Sequence, residues 1–244
     1  MKWLMLFKEM EEFMKKLGLV GGTAPESTLA YYRDINYLVH DRTNGKAFPE
    51  LSIESVNLYR ALEYCKKQRY EELIAYLLQA IQNLAKGGAE FAVLTANTMH
   101  VVYDALEIQS PIPLVSIVDA VCEEAKRRNL KKVGLLGTIF TMKGHFFKAP
   151  FLKHGIEIIT PSESVMELVN NRIANELEMG IVKESTTQEL IDVISEMQEN
   201  SGIEAIILGC TELPLALNEE NCPLPCLDTM KIHIETLVEK ILQS

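Results

Sequence analysis

Short apolar runs alternate along the chain with longer segments whose apolar residues recur every three or four positions. The first pattern is typical of buried parallel strands and the second of amphipathic helices. The clearest helix is predicted from Tyr70 to Leu84, where apolar side chains repeat at i, i+3, i+4 and i+7. Strands are predicted at 17–20, 51–58, 91–94, 113–117, 132–136, 156–159 and 205–208, and helices at 25–42, 118–128, 141–154, 163–179, 187–200 and 229–242. This alternation predicts an α/β protein with parallel sheets.

The two halves of the chain repeat the same features in the same order. Three such matches in series favour an internal duplication over chance. The matched pairs are 17–22 with 132–138, 87–98 with 201–212, and 112–116 with 224–228. The sequence therefore predicts two pseudo-symmetric Rossmann-like domains. Because 224–244 matches a segment that closes the first half, the first domain is predicted to comprise 14–114 with 221–244, and the second 115–220.

Residues 1–13 precede the first predicted strand. Their apolar side chains predict a short amphipathic N-terminal extension, or translation from a start upstream of Met14. A secretory signal is not predicted, because three glutamates interrupt the apolar run and no small-residue cleavage site follows it.

Composition narrows the class of protein. The 244 residues are 48% hydrophobic, enough to bury a full core, and carry a formal net charge of −10. That charge argues against a nucleic-acid or anionic-membrane surface, and no apolar run approaches the roughly 20 residues that span a bilayer. The five irregularly spaced cysteines are typical of reduced thiols in a cytoplasmic protein. Cys222 and Cys226 have the spacing of half a metal site, but no second Cys or His pair lies nearby in sequence, so no metal is predicted.

Small and polar residues follow several predicted strands. Ligands of open parallel sheets bind outside the carboxyl ends of the strands, where hydroxyls and free N–H groups can hold a carboxylate. One such loop alone is better explained by helix capping, whereas the whole set favours a binding site. The loops are Gly21-Gly22-Thr23, Thr95-Ala96-Asn97-Thr98, Gly137-Thr138 and Gly209-Cys210-Thr211-Glu212.

Cys210 is the candidate catalytic residue within this set. The chain has no dinucleotide fingerprint, no phosphate-binding P-loop and no Gly-x-Ser-x-Gly elbow, so no cofactor is predicted. A following helix N-terminus and neighbouring N–H groups predict that the Cys210 thiol ionises readily. Cys65 and Cys122 are interpreted as core residues instead. The internal repeat places Ala96 opposite Cys210, so one half offers a thiol where the other offers a methyl group.

At these residues the chain resembles the aspartate/glutamate racemase family, which works without pyridoxal phosphate. It is most similar to aspartate racemase homologues that lack the first catalytic cysteine. The resemblance extends from about residue 16 to the C-terminus and is carried by 21–28, 96–100, 136–138 with 141–142, 208–212, and 228–229 with His233. It implies two α/β domains with an active site in the cleft between them, a homodimer and no cofactor.

The family's mechanism implies two cysteines on opposite faces of the substrate α-carbon, one removing the α-proton and the other delivering a proton. In this chain Cys210 would be one of them, and Ala96 occupies the position of the missing first cysteine. The substrate would be a small acidic amino acid, aspartate or glutamate. The resemblance implies that it is bound by Thr23, Asn97, Thr98, Thr138 and Thr211.

Alanine has no exchangeable proton, so the symmetrical two-thiol route is closed. Three functions stay open. The first is an aspartate-type racemase, slow or one-sided, that uses Cys210 with a water on Thr98 or His100, or an unassigned group, as second donor. The second is a one-base decarboxylase or eliminase of the same superfamily, and the third a non-catalytic binder of acidic amino acids. Residues 57–60 and 66–69 are candidates to bind a side-chain carboxylate, although a solvated charge run explains 66–69 better.

Overall fold

The protein is described from a computed structural model, in residues 14–23 and 25–243. The predicted extension at 1–13 lies outside these residues. The chain divides into two compact units. The first unit ends at Ser116 and resumes at His233, and the second is the continuous segment Ile117–Ile232.

The first unit is built on a four-stranded parallel sheet with the order β2-β1-β3-β4. Its strands are β1 (Leu17–Gly21), β2 (Leu51–Ser55), β3 (Phe91–Leu94) and β4 (Leu114–Val115). Its helices are α1 (Pro25–Arg42), α2 (Leu58–Lys66), α3 (Tyr70–Lys86), a 3₁₀ helix (Asn97–Val102) and α4 (Tyr103–Gln109). The central strands β1 and β3 are buried along their whole length, which is why they are unbroken apolar runs in the sequence.

The second unit has a four-stranded parallel sheet with the order β6-β5-β7-β8. Its strands are β5 (Lys132–Leu136), β6 (Glu157–Ile159), β7 (Ala205–Leu208) and β8 (Cys226–Asp228). Its helices are α5 (Ile117–Arg127), α6 (Ile139–Lys143), α7 (His145–Lys153), α8 (Glu163–Asn175), a 3₁₀ helix (Leu177–Met179), α9 (Glu184–Ser201) and a 3₁₀ helix (Leu213–Leu215). A last helix, α10 (Thr229–Leu242), starts in this unit and continues into the first.

Both sheets have the same strand order when each strand is matched with its counterpart in the repeat. The predicted α/β fold with parallel sheets is therefore confirmed. The identical order also supports the internal duplication, because β1, β3 and β4 match β5, β7 and β8, as the sequence repeats predict.

Residues 221–232 lie in the second unit and not in the first, where the sequence analysis placed them. The reason is that β8 pairs with β7 through the register Ile206 to Cys226. The similarity between 112–116 and 224–228 thus reflects equivalent strands, β4 and β8, in two different sheets. It does not mean that 224–228 joins the first sheet.

Only the later part of α10 belongs to the first unit, and His233 is the residue that anchors it. The Tyr31 hydroxyl donates to His233 Nδ1 (2.8 Å), and His233 Nε2–H donates to the Val115 carbonyl (3.2 Å). Tyr31 and His233 are fully buried. The imidazole therefore fastens the last helix to α1 and to β4.

Some predicted elements differ from those in the structure. The helix predicted over 141–154 is two helices, because Gly144 adopts an extended conformation (φ −68°, ψ 123°) between them. The strand predicted over 51–58 ends at Ser55, since Asn57 caps α2 by accepting the Arg60 N–H through Oδ1 (3.1 Å). The polar loop predicted after β3 forms the 3₁₀ helix that starts at Asn97.

Candidate active site

The loop after β1 has a backbone shape that requires glycine. Gly22 has a φ of +78°, and a Cβ built on it would lie 2.3 Å from the Val56 carbonyl oxygen. Its N–H donates to Thr28 Oγ1 (2.9 Å) in the first turn of α1. The loop is therefore pressed against the end of β2 and held to the helix that follows it.

Thr23, a predicted substrate-binding residue, is buried at the end of this loop. Its Oγ1 lies 3.4 Å from Thr95 Oγ1, and Thr95 donates its own proton to the Val20 carbonyl (3.1 Å). Thr23 must then be the donor between the two hydroxyls, so its proton links the β1 and β3 loops. Its oxygen can still accept, and its role in substrate binding stays a prediction.

Ala96 follows β3 in an extended conformation (φ −139°, ψ 136°) and is half-buried. Asn97 is buried and Thr98 half-buried in the 3₁₀ helix that starts there. The structure thus brings these three predicted site residues together on one strand end. Their contacts with substrate stay a prediction.

His100 is tied to the same turn. Its Nδ1 lies 3.1 Å from the Ala96 carbonyl, which can only accept, so Nδ1 carries a proton. The ring is stacked on Tyr103 with centroids 5.2 Å apart. Burial lowers the pKa of His100 to about 4, so the ring is neutral at pH 7. A charged His100 is therefore not available to replace the missing cysteine near neutral pH.

In the second unit the loops after β5 and β7 lie against each other. The Gly209 N–H donates to the Leu136 carbonyl (2.7 Å). A Cβ on Gly137 would lie 3.0 Å from the Gly209 oxygen, and one on Gly209 would lie 2.9 Å from the Leu136 oxygen. Glycine in both loops allows this approach and places the Thr138 loop beside the Cys210 loop.

Thr138 caps the short helix α6. Its Oγ1 accepts the Thr141 N–H (3.4 Å) and lies 3.2 Å from Thr141 Oγ1. The Ile139 N–H, at the start of α6, donates to Asn170 Oδ1 of α8 (2.9 Å). Thr138 therefore has the helix-capping role that can explain a single loop of this kind. Substrate binding by Thr138 stays a prediction.

Cys210 lies two residues beyond β7 and is 8% exposed. Its Sγ–H donates to Glu212 Oε2 (2.9 Å), and Thr211 Oγ1–H donates to Glu212 Oε1 (2.8 Å). Both carboxylate oxygens of Glu212 are therefore held by the two residues that precede it. Thr211, predicted to bind substrate, positions the carboxylate that contacts the candidate thiol.

The prediction that Cys210 ionises readily is wrong. Burial raises its pKa well above the ordinary value, and the charge of Glu212 and its hydrogen bond raise it further. A three-residue 3₁₀ helix, Leu213–Leu215, follows in place of the expected α-helix N-terminus. At neutral pH Cys210 is therefore a thiol, ready to donate a proton, and can accept one only after passing its own to Glu212.

A second carboxyl group adds to the acidic surroundings of Cys210. Burial and the charge of Glu212 raise the pKa of Glu178, and Glu178 in turn raises that of Cys210. Neither glutamate was predicted from the sequence as a site residue. Glu212 was detectable in the Cys-Thr-Glu run, whereas the approach of Glu178, in the 3₁₀ helix that follows α8, had no signal in the sequence.

Arg60 stands in the first turn of α2, just beyond the end of β2. Its guanidinium lies over the Tyr76 ring (4.5 Å) and its Nε–H donates to Tyr64 Oη (2.9 Å). Within 14–23 and 25–243, no carboxylate lies within ion-pair distance of it. The guanidinium is held by two tyrosine side chains, and its charge is available to another partner.

Two of the three basic residues in the second segment, 66–69, are paired with nearby glutamates. Lys67 Nζ pairs with Glu63 Oε1 (2.7 Å), and Arg69 Nε donates to Glu72 Oε1 (2.8 Å). These exposed pairs match the interpretation of 66–69 as a solvated charge run.

The sequence matches the model of the Asp/Glu/Hydantoin racemase family over residues 20–237. The chain belongs to this family. An Asp/Glu racemase candidate from Yersinia pestis has a similar structure, with a TM-score of 0.88 and 37% identity, covering 94% of this chain and 100% of that one. An aspartate racemase homologue from Pyrococcus horikoshii gives a TM-score of 0.82 and 36% identity, covering 93% and 98%.

Among curated racemases, the broad specificity amino-acid racemase RacX of Bacillus subtilis is 24% identical over 216 residues, which is 87% of this chain and 92% of RacX. The predicted family is thereby confirmed, and the two-sheet fold is the one that racemases of this family share. In the part of the chain that the structure describes, no helix is both long and apolar enough to cross a membrane.

Proposed function

We propose that the protein is a cofactor-independent amino-acid racemase of the aspartate/glutamate type that moves the α-proton through Cys210. The observation that carries the proposal is the hydrogen bond from the Cys210 thiol to the Glu212 carboxylate (2.9 Å) at the carboxyl end of β7. Strand ends of this kind are where parallel α/β folds place their ligands.

Glu212 gives the buried thiol a route to act as a base. A proton that moves from Sγ to Oε2 leaves a thiolate, which can then take the α-proton of the substrate. The reverse transfer restores the thiol after it has protonated the carbanion. Thr211 holds the other carboxylate oxygen, so the acceptor is fixed in place before the reaction starts.

Ala96 limits what this pair can do. In the family's mechanism the residues at these two positions act on opposite faces of the α-carbon, and a methyl group neither accepts nor donates a proton. Positioned proton transfer contributes about 10²–10⁴-fold, so the loss of one partner predicts a slow racemase. The same observation favours a second candidate, a one-base decarboxylase or eliminase in which the Cys210 thiol protonates one face of an enolate-like intermediate.

An acidic substrate is supported by Arg60. Its guanidinium stands at the strand end without an ion-pair partner among the described side chains and is oriented by Tyr64 and Tyr76. A guanidinium binds a planar carboxylate through two parallel hydrogen bonds, so Arg60 is our candidate partner for the side-chain carboxylate of aspartate or glutamate. The homodimer that the family resemblance implies and the cytoplasmic location inferred from the cysteines stay predictions.

Proton exchange in D₂O tests the proposal. Each enantiomer of aspartate and of glutamate is incubated with the protein, and deuterium uptake at the α-carbon and change of configuration are followed by NMR and chiral chromatography. Racemisation with deuterium uptake is the expected result. Cys210→Ser should abolish it, whereas Cys122→Ser, a buried cysteine of α5, should not. Exchange that survives Cys210→Ser would refute the catalytic assignment.

Restoring the second thiol tests the role of Ala96. Ala96→Cys should raise the rate of racemisation by one to several powers of ten, in line with the roughly 10²–10⁴-fold that a positioned proton donor contributes. Ala96→Ser serves as the control of similar size. Exchange with retained configuration in the wild type would favour the one-base enzyme, and binding without exchange would leave a non-catalytic binder.

A further inference from the structure

Arg60 is held at both ends of its side chain. Its backbone N–H donates to Oδ1 of Asn57 (3.1 Å), the residue that caps α2. At the other end, the guanidinium carbon lies 4.5 Å from the centroid of the Tyr76 ring, and Nε–H donates to Tyr64 Oη (2.9 Å). Arg60 is exposed, but its neighbours therefore determine how its guanidinium is oriented.

The two tyrosines that hold Arg60 are themselves fixed. Tyr64 is buried one turn further along α2, and its ring meets that of Tyr76 edge to face with centroids 6.3 Å apart. Tyr76 belongs to α3, and its Oη accepts the Asn57 N–H (2.7 Å). A cation held in this way before a ligand arrives loses little conformational entropy when the ligand binds.

The bond to Tyr64 determines which edge of the guanidinium is left for a ligand. A guanidinium can offer two parallel N–H groups along its Nε–Nη2 edge or along its Nη1–Nη2 edge. In Arg60 the Nε–H is already donated to Tyr64, so the first edge is occupied. The Nη1–Nη2 edge remains, and two such N–H groups match the two oxygens of a carboxylate.

The start of α2 lies beside the loop that carries Thr23. The Val56 N–H donates to the Gly21 carbonyl (2.9 Å), and a Cβ on Gly22 would collide with the Val56 oxygen. The two segments follow the paired parallel strands β1 and β2, at the edge where α/β sheets bind their ligands. Arg60 and Thr23 therefore stand at the same end of the first sheet.

We propose that Tyr64 and Tyr76 are positioning residues, which present the Nη1–Nη2 edge of Arg60 to the side-chain carboxylate of the substrate. Arg60 then selects amino dicarboxylic acids over their amides. An amide turns one oxygen and one NH₂ group toward this edge, so its NH₂ group would face guanidinium N–H groups without a hydrogen bond. The inference rests on the amino-acid binding that the proposed function requires, and it names the substrate class.

Isothermal titration calorimetry on the full-length protein tests the selection. It compares both enantiomers of aspartate with those of asparagine, and glutamate likewise with glutamine, because each acid and its amide have nearly the same shape. The expected result is that the acid that binds more tightly exceeds its own amide in affinity by about tenfold or more, as hydrogen bonds between charged groups predict. Equal affinities for acid and amide would overturn the proposal.

Substitutions at Arg60 and Tyr64 test the positioning. Arg60→Lys keeps the charge but lacks the two-point edge, so it should weaken binding of the acid about tenfold and leave that of the amide unchanged. Tyr64→Phe keeps the ring and removes the acceptor of Nε–H. It should weaken binding of the acid by about 3–10-fold through the freed guanidinium, with kcat for α-proton exchange unchanged. Tyr37→Phe, which removes an exposed hydroxyl on α1, is the matched control.

Unchanged affinity for the acid in Arg60→Lys would mean that charge alone suffices, and unchanged affinity in Tyr64→Phe would mean that Tyr64 does not position Arg60. Either result would refute the proposal. Because Arg60 is exposed, Arg60→Lys leaves the core intact and decides the matter even if Tyr64→Phe does not fold.

α-Proton exchange in D₂O, measured on the same variants, separates this proposal from the racemase activity. Exchange that depends on Cys210 but not on Arg60 would keep the racemase and refute the recognition. Binding of a dicarboxylic amino acid that depends on Arg60, without exchange, would refute the racemase and keep the recognition. Absence of binding by all four amino acids would refute both.

Discussion

The Cys210 thiol and the Glu212 carboxylate form one hydrogen-bonded pair, in which the carboxylate raises the pKa of the thiol. A buried thiol next to an ionised carboxylate holds its proton firmly, since a thiolate there would be both desolvated and repelled. Before substrate reacts, the Cys210–Glu212 pair therefore holds a proton that the thiol can donate. This resting state suits protonation of a carbanion and makes proton removal depend on Glu212.

Glu212→Gln should lower the pKa of Cys210 because it removes the charge and the strong acceptor, although burial would keep the pKa above its ordinary value. The pH profile of Cys210 alkylation should shift toward lower pH, and α-proton exchange should fall by about 10²-fold or more as the acceptor is lost. Glu199→Gln, on the exposed face of α9, is the control. An unchanged alkylation profile would show that Glu212 does not govern the thiol.

The sequence predicted the position of Cys210 well, because a buried strand followed by small residues has few alternative interpretations. It did not predict the state of the thiol. Which carboxylate faces Cys210 depends on the turn from Thr211 to Leu213, and the approach of Glu178 depends on the 3₁₀ helix that follows α8. Likewise, Thr23 and Thr138 were located correctly at strand ends, but their bonds to Thr95 and Thr141 depend on side-chain directions that spacing does not encode.

At the scale of elements, the shape of each strand-end loop depends on a few backbone conformations. The strands β3, β5 and β7 and the last helix were predicted to the residue, since each combines a strong apolar pattern with clear flanking signals. The helix predicted over 141–154 was not, because the break at Gly144 leaves the apolar pattern on either side intact. At Gly22 a positive φ coincides with an added Cβ only 2.3 Å from a backbone carbonyl oxygen.

Gly22→Ala should destabilise the first unit by more than about 3 kcal/mol, since roughly 1–3 kcal/mol of strain at positive φ is joined by a collision with the Val56 carbonyl. Gly155→Ala is a matched control, because Gly155 has a φ of +71° with no atom within 4 Å of an added Cβ. Gly155→Ala should lower the free energy of unfolding by the positive-φ strain alone. Urea unfolding measures both variants, and equal losses would mean that the contact with Val56 relaxes freely.

At the scale of the whole molecule, the sequence predicted two duplicated α/β halves, and the identical strand orders agree with it. It placed 221–232 in the wrong half. An apolar strand such as 224–228 has the same signature whichever sheet it joins, and only its pairing with β7 decides the matter. The stability of the first unit depends on the last helix, because that helix contributes the buried His233 to it.

The protein should lose stability as the pH falls below about 6.5. Burial lowers the pKa of His100 to about 4 and that of His233 to about 3, so both are neutral when folded and take up protons on unfolding. Below pH 6.5 the unfolded state therefore binds more protons than the folded state. Each histidine should lower the free energy of unfolding by about 1.4 kcal/mol per pH unit as the pH falls toward its folded pKa. Urea midpoints between pH 7 and 5 measure this slope.

His233→Gln should remove one histidine's share of that slope, whatever its effect on stability at pH 7. His154→Gln, which changes an exposed histidine after α7, should leave the slope unchanged. An identical slope in the His233→Gln variant would mean that His233 is protonated in the folded protein.

The second unit is continuous in sequence, whereas the first is completed only by residues from His233 onward. The Lys15 N–H donates to the Ile241 carbonyl (3.0 Å), so the beginning of the first sheet is bonded to the last turn of the chain. During synthesis on the ribosome, Ile117–Ile232 therefore has all its partners before the N-terminal strands do. The half that is translated first is therefore completed last, when the final helix emerges.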